Sequence, residues 1–538
     1  MRKSLFLWLL CLLLASCARV GSPVGGGKDT IAPRLMRYNI DTTRVNVSTK
    51  LKKLRLDFSE YIVLKDIQKN LMISPSIRYK KITPTTLPNK YLEIEWDEDL
   101  KENTTYNFNF GNAIADNNEG NVLPYFNFVF STGNKLDSLN ISGIEKSGYV
   151  FTKDKNDPKR NFVVGLYQVK DTMDYGKKPY YITKADEDGY FELNNLAKGK
   201  YRLIAFDDAD QNLVPTAGKE EIFFQEKDLD LYQNISNMEI RTLPSKNAVK
   251  FVEYKELPSG FLLKFEGNPE RVDIQSEIEI LKDYKVEHRK FSDSAFVWFD
   301  TKKLNLSDKN SNVGLKFSYR ADGLKGVISP FYKASSEKEF SISNSIGTSI
   351  PPINKLVLEA NKIITEIRPE KWILKEDSAV VRDFKVKISE DNSRKIKIES
   401  KFVNGKKYEL IIPQGTMDTY YETLSKTYQF NFDVEKPENF GSVEFRLKEK
   451  PKNTFWLQLL NTQNDVKYSQ RVDSQNVKFE ALPPAKYTAR ILVDDNGNGI
   501  WDAMDFKNFK PAEDVFIYNK ILEIRPLWEN IIDDWELK

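Results

Sequence analysis

Histidine is almost missing from this chain: one residue, His288, among 538. Imidazole titrates nearest neutral pH, so its scarcity excludes histidine triads, histidine-ligated metal clusters and paired acid-base imidazoles. Cysteine is nearly as rare, with two residues, which excludes a disulfide framework. Neither sign of charge dominates: 81 Lys+Arg stand against 78 Asp+Glu, so a strongly basic nucleic-acid binder is excluded and no nucleic-acid partner is expected. Long apolar runs are missing too, since no stretch approaches the roughly 18 residues that span a bilayer as a helix.

What remains is enough to fold. Aromatics at 12% and apolar residues at 40% can fill cores, and at roughly 100–150 residues per domain the length predicts four or five domains. The N-terminus sets the compartment. Arg2 and Lys3 precede ten apolar residues, Leu5 to Leu14, and then Ala15, Ser16 and Cys17, the pattern of a secretory signal over residues 1–16. Leu14-Ala15-Ser16-Cys17 resembles the bacterial lipobox, which implies cleavage before Cys17 and acylation of that residue. Cys17 is the one Cys left after cleavage, so it has no disulfide partner, and acylation disposes of a thiol that would be exposed. Acyl chains at about 0.8 kcal/mol per buried CH₂ would hold it stably on a membrane. Residues 17–33 carry Gly21, Pro23 and Gly25 to Gly27 and read as a flexible tether. Ala18 and Arg19 lack the Asp of inner-membrane retention, so a periplasm-facing outer-membrane position is expected.

Downstream, alternation of apolar and polar residues dominates, as in Lys53 to Phe58, Tyr91 to Trp96, Tyr106 to Phe110 and Phe126 to Phe130. Period two buries one face of a strand and wets the other, so the fold class is all-β, built from antiparallel sandwiches. Short helical turns fit near Leu64 to Asn70 and Pro369 to Lys375. The chain also repeats itself. At an offset of 302, Lys53 falls on Lys355, Tyr106 on Tyr408 and Phe130 on Phe432; at an offset of 286, Leu196 falls on Leu482, Tyr201 on Tyr487 and Asp208 on Asp494. The predicted order is one sandwich type at 34–133 and 346–435, a second at 139–245 and 436–538, and an unrepeated β-rich domain at 246–345.

Phe58-Ser59-Glu60-Tyr61-Ile62, Met72-Ile73-Ser74-Pro75, Leu100 to Tyr106 and Phe128 to Gly133 resemble the bacterial Ig-like domain of S-layer type. Asn161 to Tyr167, Asp186 to Phe191 and Gly199 to Leu203 resemble the carboxypeptidase-regulatory or transthyretin-like sandwich. With the lipobox and the Trp-rich end at Trp528 and Trp535, the whole is similar to Ig-like-domain lipoproteins of Bacteroidota. That resemblance implies a cell-envelope lipoprotein without established activity. The tripeptides at Asp29, Asp137, Asp171, Asp293 and Asp377, each followed by Thr or Ser and then an apolar residue, are similar to the O-glycosylation signal of that phylum.

The sharpest local chemistry lies at Asp494, Asn496, Asn498, Ile500, Asp502 and Asp505. Oxygen side chains at loop positions 1, 3 and 5, Gly499 at 6, a backbone carbonyl at 7 and carboxylates at 9 and 12 match a loop wrapping Ca²⁺, although the last position is normally a longer Glu. Asn-Gly repeats are equally ordinary β-turn chemistry, so both readings stand. The first copy, Asp208, Asp210 and Asn212, lacks the Gly and the later acids. His288 sits in a charged stretch and reads as a solvated surface residue. Trp96 and Trp298 suit sandwich cores, and Trp528 and Trp535 are the candidates for stacking on a sugar. The many acids single out no glycosidase pair. The expected function is a non-catalytic, membrane-anchored envelope scaffold facing a protein partner; the alternative is a carbohydrate-binding envelope protein.

Overall fold

The computed structural model describes residues 27–151, 160–170, 173–306, 308, 310–344, 347–353 and 355–537. The lipobox with Cys17, and Asp171 and Thr172, lie outside them. Almost all regular structure is strand, and the helical turns at Ile67–Asn70 and Pro369–Lys371 fall where the sequence places them.

The first sandwich sets Leu35–Tyr38, Lys53–Leu64, Asn89–Trp96 and Tyr79–Thr83 in one sheet, facing Met72–Ser74, Thr105–Gly111 and Phe126–Ser131. Alternation does what it predicts: Leu54, Leu56, Leu92, Ile94 and Trp96 from one sheet meet Tyr106, Phe108, Phe110, Phe128 and Phe130 from the other. The fourth sandwich repeats this order, with Lys355–Ala360 beside Asn392–Ser400 and Lys407–Ile412 beside Tyr428–Val434. Tyr106 lies opposite Phe130, and Tyr408 opposite Phe432. Leu54 faces Ile94 but Leu356 faces Ile398. That slide of two residues keeps every apolar side chain on its face, because side chains alternate with period two.

In the second sandwich Tyr181–Lys184, Phe162–Gln168, Gly199–Asp207 and Glu221–Phe224 lie side by side, and Ile235–Pro244 runs parallel to Leu139–Ser147 next to Tyr190–Leu196. The fifth has the same plan: Val466–Val472, Phe455–Leu460, Ala485–Val493 and Val515–Ile524, with Glu529–Ile532 parallel to Gly441–Arg446 beside Asn476–Leu482. Gly143 opposite Phe191 corresponds to Phe445 opposite Val477. Nearly all of the drop in offset from 302 to 286 is therefore absorbed in the connections that enter Phe162–Gln168 and Tyr181–Lys184, where loop length costs little. The third sandwich pairs Gly260–Glu266 with Lys250–Leu257 and Ser294–Trp298 over a core of Phe261, Leu263, Phe265 and Phe317.

The sandwiches are not a simple row. Met504 and Phe506 of the fifth join Val163, Ile182, Ile204, Phe206, Ile222 and Phe224 of the second, with Met72 of the first, in one apolar cluster. Backbone bonds seal the return: Met504 N–H donates to the Pro244 carbonyl at 3.1 Å and Lys246 N–H to the Met504 carbonyl at 2.7 Å. Trp501 lies against Tyr149 at 5.1 Å between ring centroids, and the Arg490 guanidinium covers Tyr149 at 3.8 Å. Third and fourth also touch, through Ser393 Oγ donating to Glu287 Oε1 at 2.6 Å. Among the described residues no helix is long and apolar enough to cross a membrane.

Candidate functional site

Two loops leave equivalent strands, Gly199–Asp207 and Ala485–Val493, and each starts with a fully buried aspartate, Asp208 and Asp494. The loops have the same internal bonding at an offset of 286. Leu213 N–H donates to Asp208 Oδ1 at 3.1 Å, and Gly499 N–H to Asp494 Oδ2 at 3.1 Å. Asn212 N–H donates to Asp210 Oδ1 at 3.2 Å, and Asn498 N–H to Asn496 Oδ1 at 2.9 Å. Val214 N–H donates to Asn212 Oδ1 at 2.6 Å, and Ile500 N–H to Asn498 Oδ1 at 2.9 Å. These are nested Asx turns, which fold the chain around the oxygens of positions 1, 3 and 5.

Each loop is closed by a glutamate that lies outside the motif. Glu220 Oε2 accepts from Thr216 N–H at 2.8 Å and its Oε1 from Ala209 N–H at 3.1 Å. Glu513 Oε2 accepts from Asp502 N–H at 2.8 Å and its Oε1 from Asn496 N–H at 3.0 Å. The sequence reading misses both. They follow the first aspartate at different distances, and the one signal they give is a Glu immediately or shortly before a strand, at Glu221–Phe224 and Val515–Ile524.

The residues picked out by spacing are only partly brought together. Asn496 Nδ2 and Asn498 Nδ2 converge on Asp502 Oδ2, at 2.6 and 2.7 Å. Asp505 does not join them. Its carboxylate caps the turn Phe506–Asn508, accepting from Asn508 N–H at 3.2 Å and from Asn508 Nδ2 at 2.8 Å. The reason is the chain that follows: residues 503–512 leave the loop to dock on the second sandwich, so Glu513 closes the loop in place of Asp505. The first copy, poorer by spacing, has the tighter set, because Asp208, Asp210 and Glu220 each place a carboxylate oxygen within 4.8 Å of the others.

Charge balance differs between the copies. Arg471 Nη2 reaches Asp494 Oδ2 at 2.6 Å. The strand registers put Lys184 at the same position in the second sandwich, since Val163 opposite Lys184 corresponds to Trp456 opposite Arg471. Lys184 Nζ instead donates to the Lys69 carbonyl of the first sandwich at 2.6 Å. Burial pushes the Asp208 carboxyl above its ordinary value, outweighing its N–H donors. It also pushes Glu220 up to about 7, with repulsion from Asp210 and Asp208 adding to it. Glu513 is raised chiefly by burial, with Asp502 and Asp494 repelling it as well. Asp494 Oδ1 is buried and accepts no hydrogen bond.

Other expected positions resolve individually. His288 is half-buried rather than fully solvated, with Nδ1 3.2 Å from the Ser294 carbonyl and Nε2 3.2 Å from the Pro269 carbonyl. Backbone carbonyls flank both ring nitrogens, an enclosure that a charged stretch of sequence does not reveal. Trp96 and Trp298 are core residues, each 1% exposed. Trp535 is also core, 4% exposed, and packs on Phe445 and Tyr518. Trp528 is 55% exposed, with the Arg525 guanidinium 4.9 Å from its ring. Thr30, Ser138 and Ser378 are exposed, whereas Ser294 is half-buried and donates to Asp293 Oδ1.

A bacterial Ig-like domain family matches residues 29–132. The comparison with curated proteins found no match. Among solved structures, the S-layer protein rSbsC is 9% identical, covering 91% of this chain and 67% of its own, with a TM-score of 0.15. BcpA, the major pilin subunit of Bacillus cereus, is 11% identical over 74% of this chain and 99% of its own, at 0.13. The Bacteroides ovatus mixed-linkage glucan utilization locus protein SGBP-B, solved with a mixed-linkage heptasaccharide, is 9% identical over 73% and 94%, at 0.20. At such scores these likenesses carry no argument about how this chain is arranged or what it binds.

Proposed function

We propose that the chain is a non-catalytic cell-envelope scaffold, held at the outer membrane through acylated Cys17 and presenting fixed β-sandwich surfaces to an envelope protein. The observation that carries this reading is the return of the fifth sandwich onto the second. One apolar cluster shared by residues far apart in sequence, Met72, Phe206 and Phe506, supports a frame that holds its outer surfaces in place. The lipobox supports the anchor and the outer-membrane position, and the tether sets the frame off from the lipid. Fractionation of cells making Cys17→Ala tests the anchor: the variant is expected in the soluble fraction, and membrane retention would defeat the reading. Crosslinking in cells, followed by identification of the captured protein, tests the scaffold role.

A second reading, glycan binding, is favoured by one feature, the exposed Trp528 beneath Arg525. An aromatic face can stack on a sugar ring. Binding on a glycan array that is lost in Trp528→Ala would establish it. Trp535 no longer takes part in this reading, since it fills the core of the fifth sandwich.

A further inference from the structure

We propose that both loops are calcium sites: Asp208, Asp210, Asn212 and Glu220 hold one ion in the second sandwich, and Asp494, Asn496, Asn498, Asp502 and Glu513 hold another in the fifth. The inference is independent of the scaffold reading and rests on three observations. The first is an orphaned oxygen. Asp494 is 0% exposed, its Oδ2 takes Gly499 N–H and Arg471 Nη2, and its Oδ1 has no donor. Oδ2 is bonded across the loop to Gly499 N–H, and the same carboxylate acts electrostatically on Glu513, so the unpartnered oxygen belongs to the residue that opens the loop and interacts with the one that closes it. A buried carboxylate oxygen without a partner is costly, and a cation is the partner a ring of oxygens cannot supply from within itself.

The second observation comes from the other copy. Asp208, Asp210 and Glu220 bring carboxylate oxygens within 4.8 Å of one another, and among the described residues none of them has a close Lys or Arg ion pair, Lys184 acting on Asp208 only from a distance. Asp208 and Glu220 are both buried. The equivalent aspartate of the fifth sandwich does hold a positive group, the Arg471 guanidinium, at 2.6 Å. A cation therefore stands at this position in one copy, whereas in the other Lys184 hydrogen-bonds the Lys69 carbonyl and attracts Asp208 without pairing with it.

Recurrence is the third. Two loops of unlike sequence keep the same bonds at positions 1, 3 and 5, and each recruits a buried Glu whose two oxygens are fixed by loop N–H groups. Carboxylate, amide and water oxygens on an adaptable loop suit Ca²⁺, which accepts six to eight ligands in loose geometry, over Mg²⁺, which demands a near-octahedral set. The donor set holds no imidazole or thiolate, the ligands that transition metals favour.

The full chain, stripped with EDTA and dialysed, is titrated with CaCl₂ by calorimetry. Two equivalents are expected, with dissociation constants on the order of 0.1–1 mM, as in extracellular modules. Glu220→Gln and Glu513→Gln should each remove one, and the double variant both. Asp210→Asn and Asn498→Ala, at exposed positions, repeat the test without touching a buried group and should each weaken one site about tenfold or more. Terbium luminescence sensitised by Trp501, which lies between Ile500 and Asp502 in the fifth loop, should vanish in Glu513→Gln and persist in Glu220→Gln. Absence of binding to the wild-type chain overturns the proposal. One equivalent that survives the substitutions in a loop overturns the assignment of that loop. Equal binding of Mg²⁺ overturns the choice of Ca²⁺.

Discussion

The loops at Asp208 and Asp494 are the same turn placed in two electrostatic settings. Both bury their first aspartate and close on a distant glutamate, yet Arg471 pairs directly with one aspartate while Lys184, at the matching position, bonds to the first sandwich and attracts the other aspartate only from a distance. The loops also end differently. After Thr216 the second sandwich reaches Glu220 through three residues, whereas the fifth goes from Asp502 to Glu513 through residues 503–512, which carry Met504, Phe506 and Phe509 onto the second sandwich. The two copies thus keep the cradle in different surroundings: the charge beside the first aspartate differs, and the docking arm is a connection that is longer in one copy.

The largest effect should come from the arm. Phe506 is buried among Phe224, Phe206 and Tyr175, so Phe506→Ala is expected to cost about 3 kcal/mol in denaturant unfolding. The corresponding region of the second loop offers no residue of like effect. Next is Arg471→Met, which leaves Asp494 without its counter-charge. In EDTA it should lose about 1–3 kcal/mol, a figure discounted because Arg471 is itself half-exposed, and millimolar Ca²⁺ should restore most of it. Failure of Ca²⁺ to restore stability would mean that the guanidinium is not standing in for a cation.

A third contrast lies in the strand Leu139–Ser147 of the second sandwich. Glu145, 1% exposed and with both oxygens unpartnered, occupies the position that Leu447 fills in the fifth sandwich. Burial first, then repulsion by Asp207 and Glu221, raises its pKa well above 4.5. An acid whose folded-state value is raised binds its proton more firmly in the native state, so stability falls as pH rises above 4.5 and is level below it. Glu145→Leu should remove that fall and add about 1–3 kcal/mol at neutral pH, with no such pH-dependent gain below 4.5; thermal melts across pH check the sign. The smallest effect is expected from Lys184→Met, under about 1 kcal/mol, because the lost bond to the Lys69 carbonyl and the lost attraction to Asp208 are offset by relief of the amine's burial and of its repulsion by Lys69.

The parts of this architecture that depend on period-two alternation were legible in the sequence. Leu54, Leu56, Phe108 and Phe128 announce their faces, and constant offsets announce the duplicated order, because strands carry their burial pattern locally. The return of the fifth sandwich was not legible. Met504, Phe506 and Phe509 sit at irregular spacing in a stretch rich in Asp and Asn, and no local period says that they will meet Phe206 some three hundred residues earlier. For the loops, positions 1, 3 and 5 could be read from spacing, whereas Glu220 and Glu513 could not, since tertiary folding rather than separation brings them in. Asp505 satisfied the spacing and failed the geometry for the same reason. Trp535 sits in no alternating strand pattern that would announce its burial, yet its ring completes the core around Phe445 and Tyr518.

One cradle occurs in two charge settings, and calcium affinity measures the difference most directly. Calorimetric titration of Glu513→Gln isolates the second-sandwich loop, and that of Glu220→Gln isolates the fifth. With three carboxylates and no ion-paired Arg or Lys at the former, against three carboxylates offset by Arg471 at the latter, the loop at Asp208 should bind Ca²⁺ several-fold more tightly. Equal affinities, the reverse order, or no binding at either loop would contradict it.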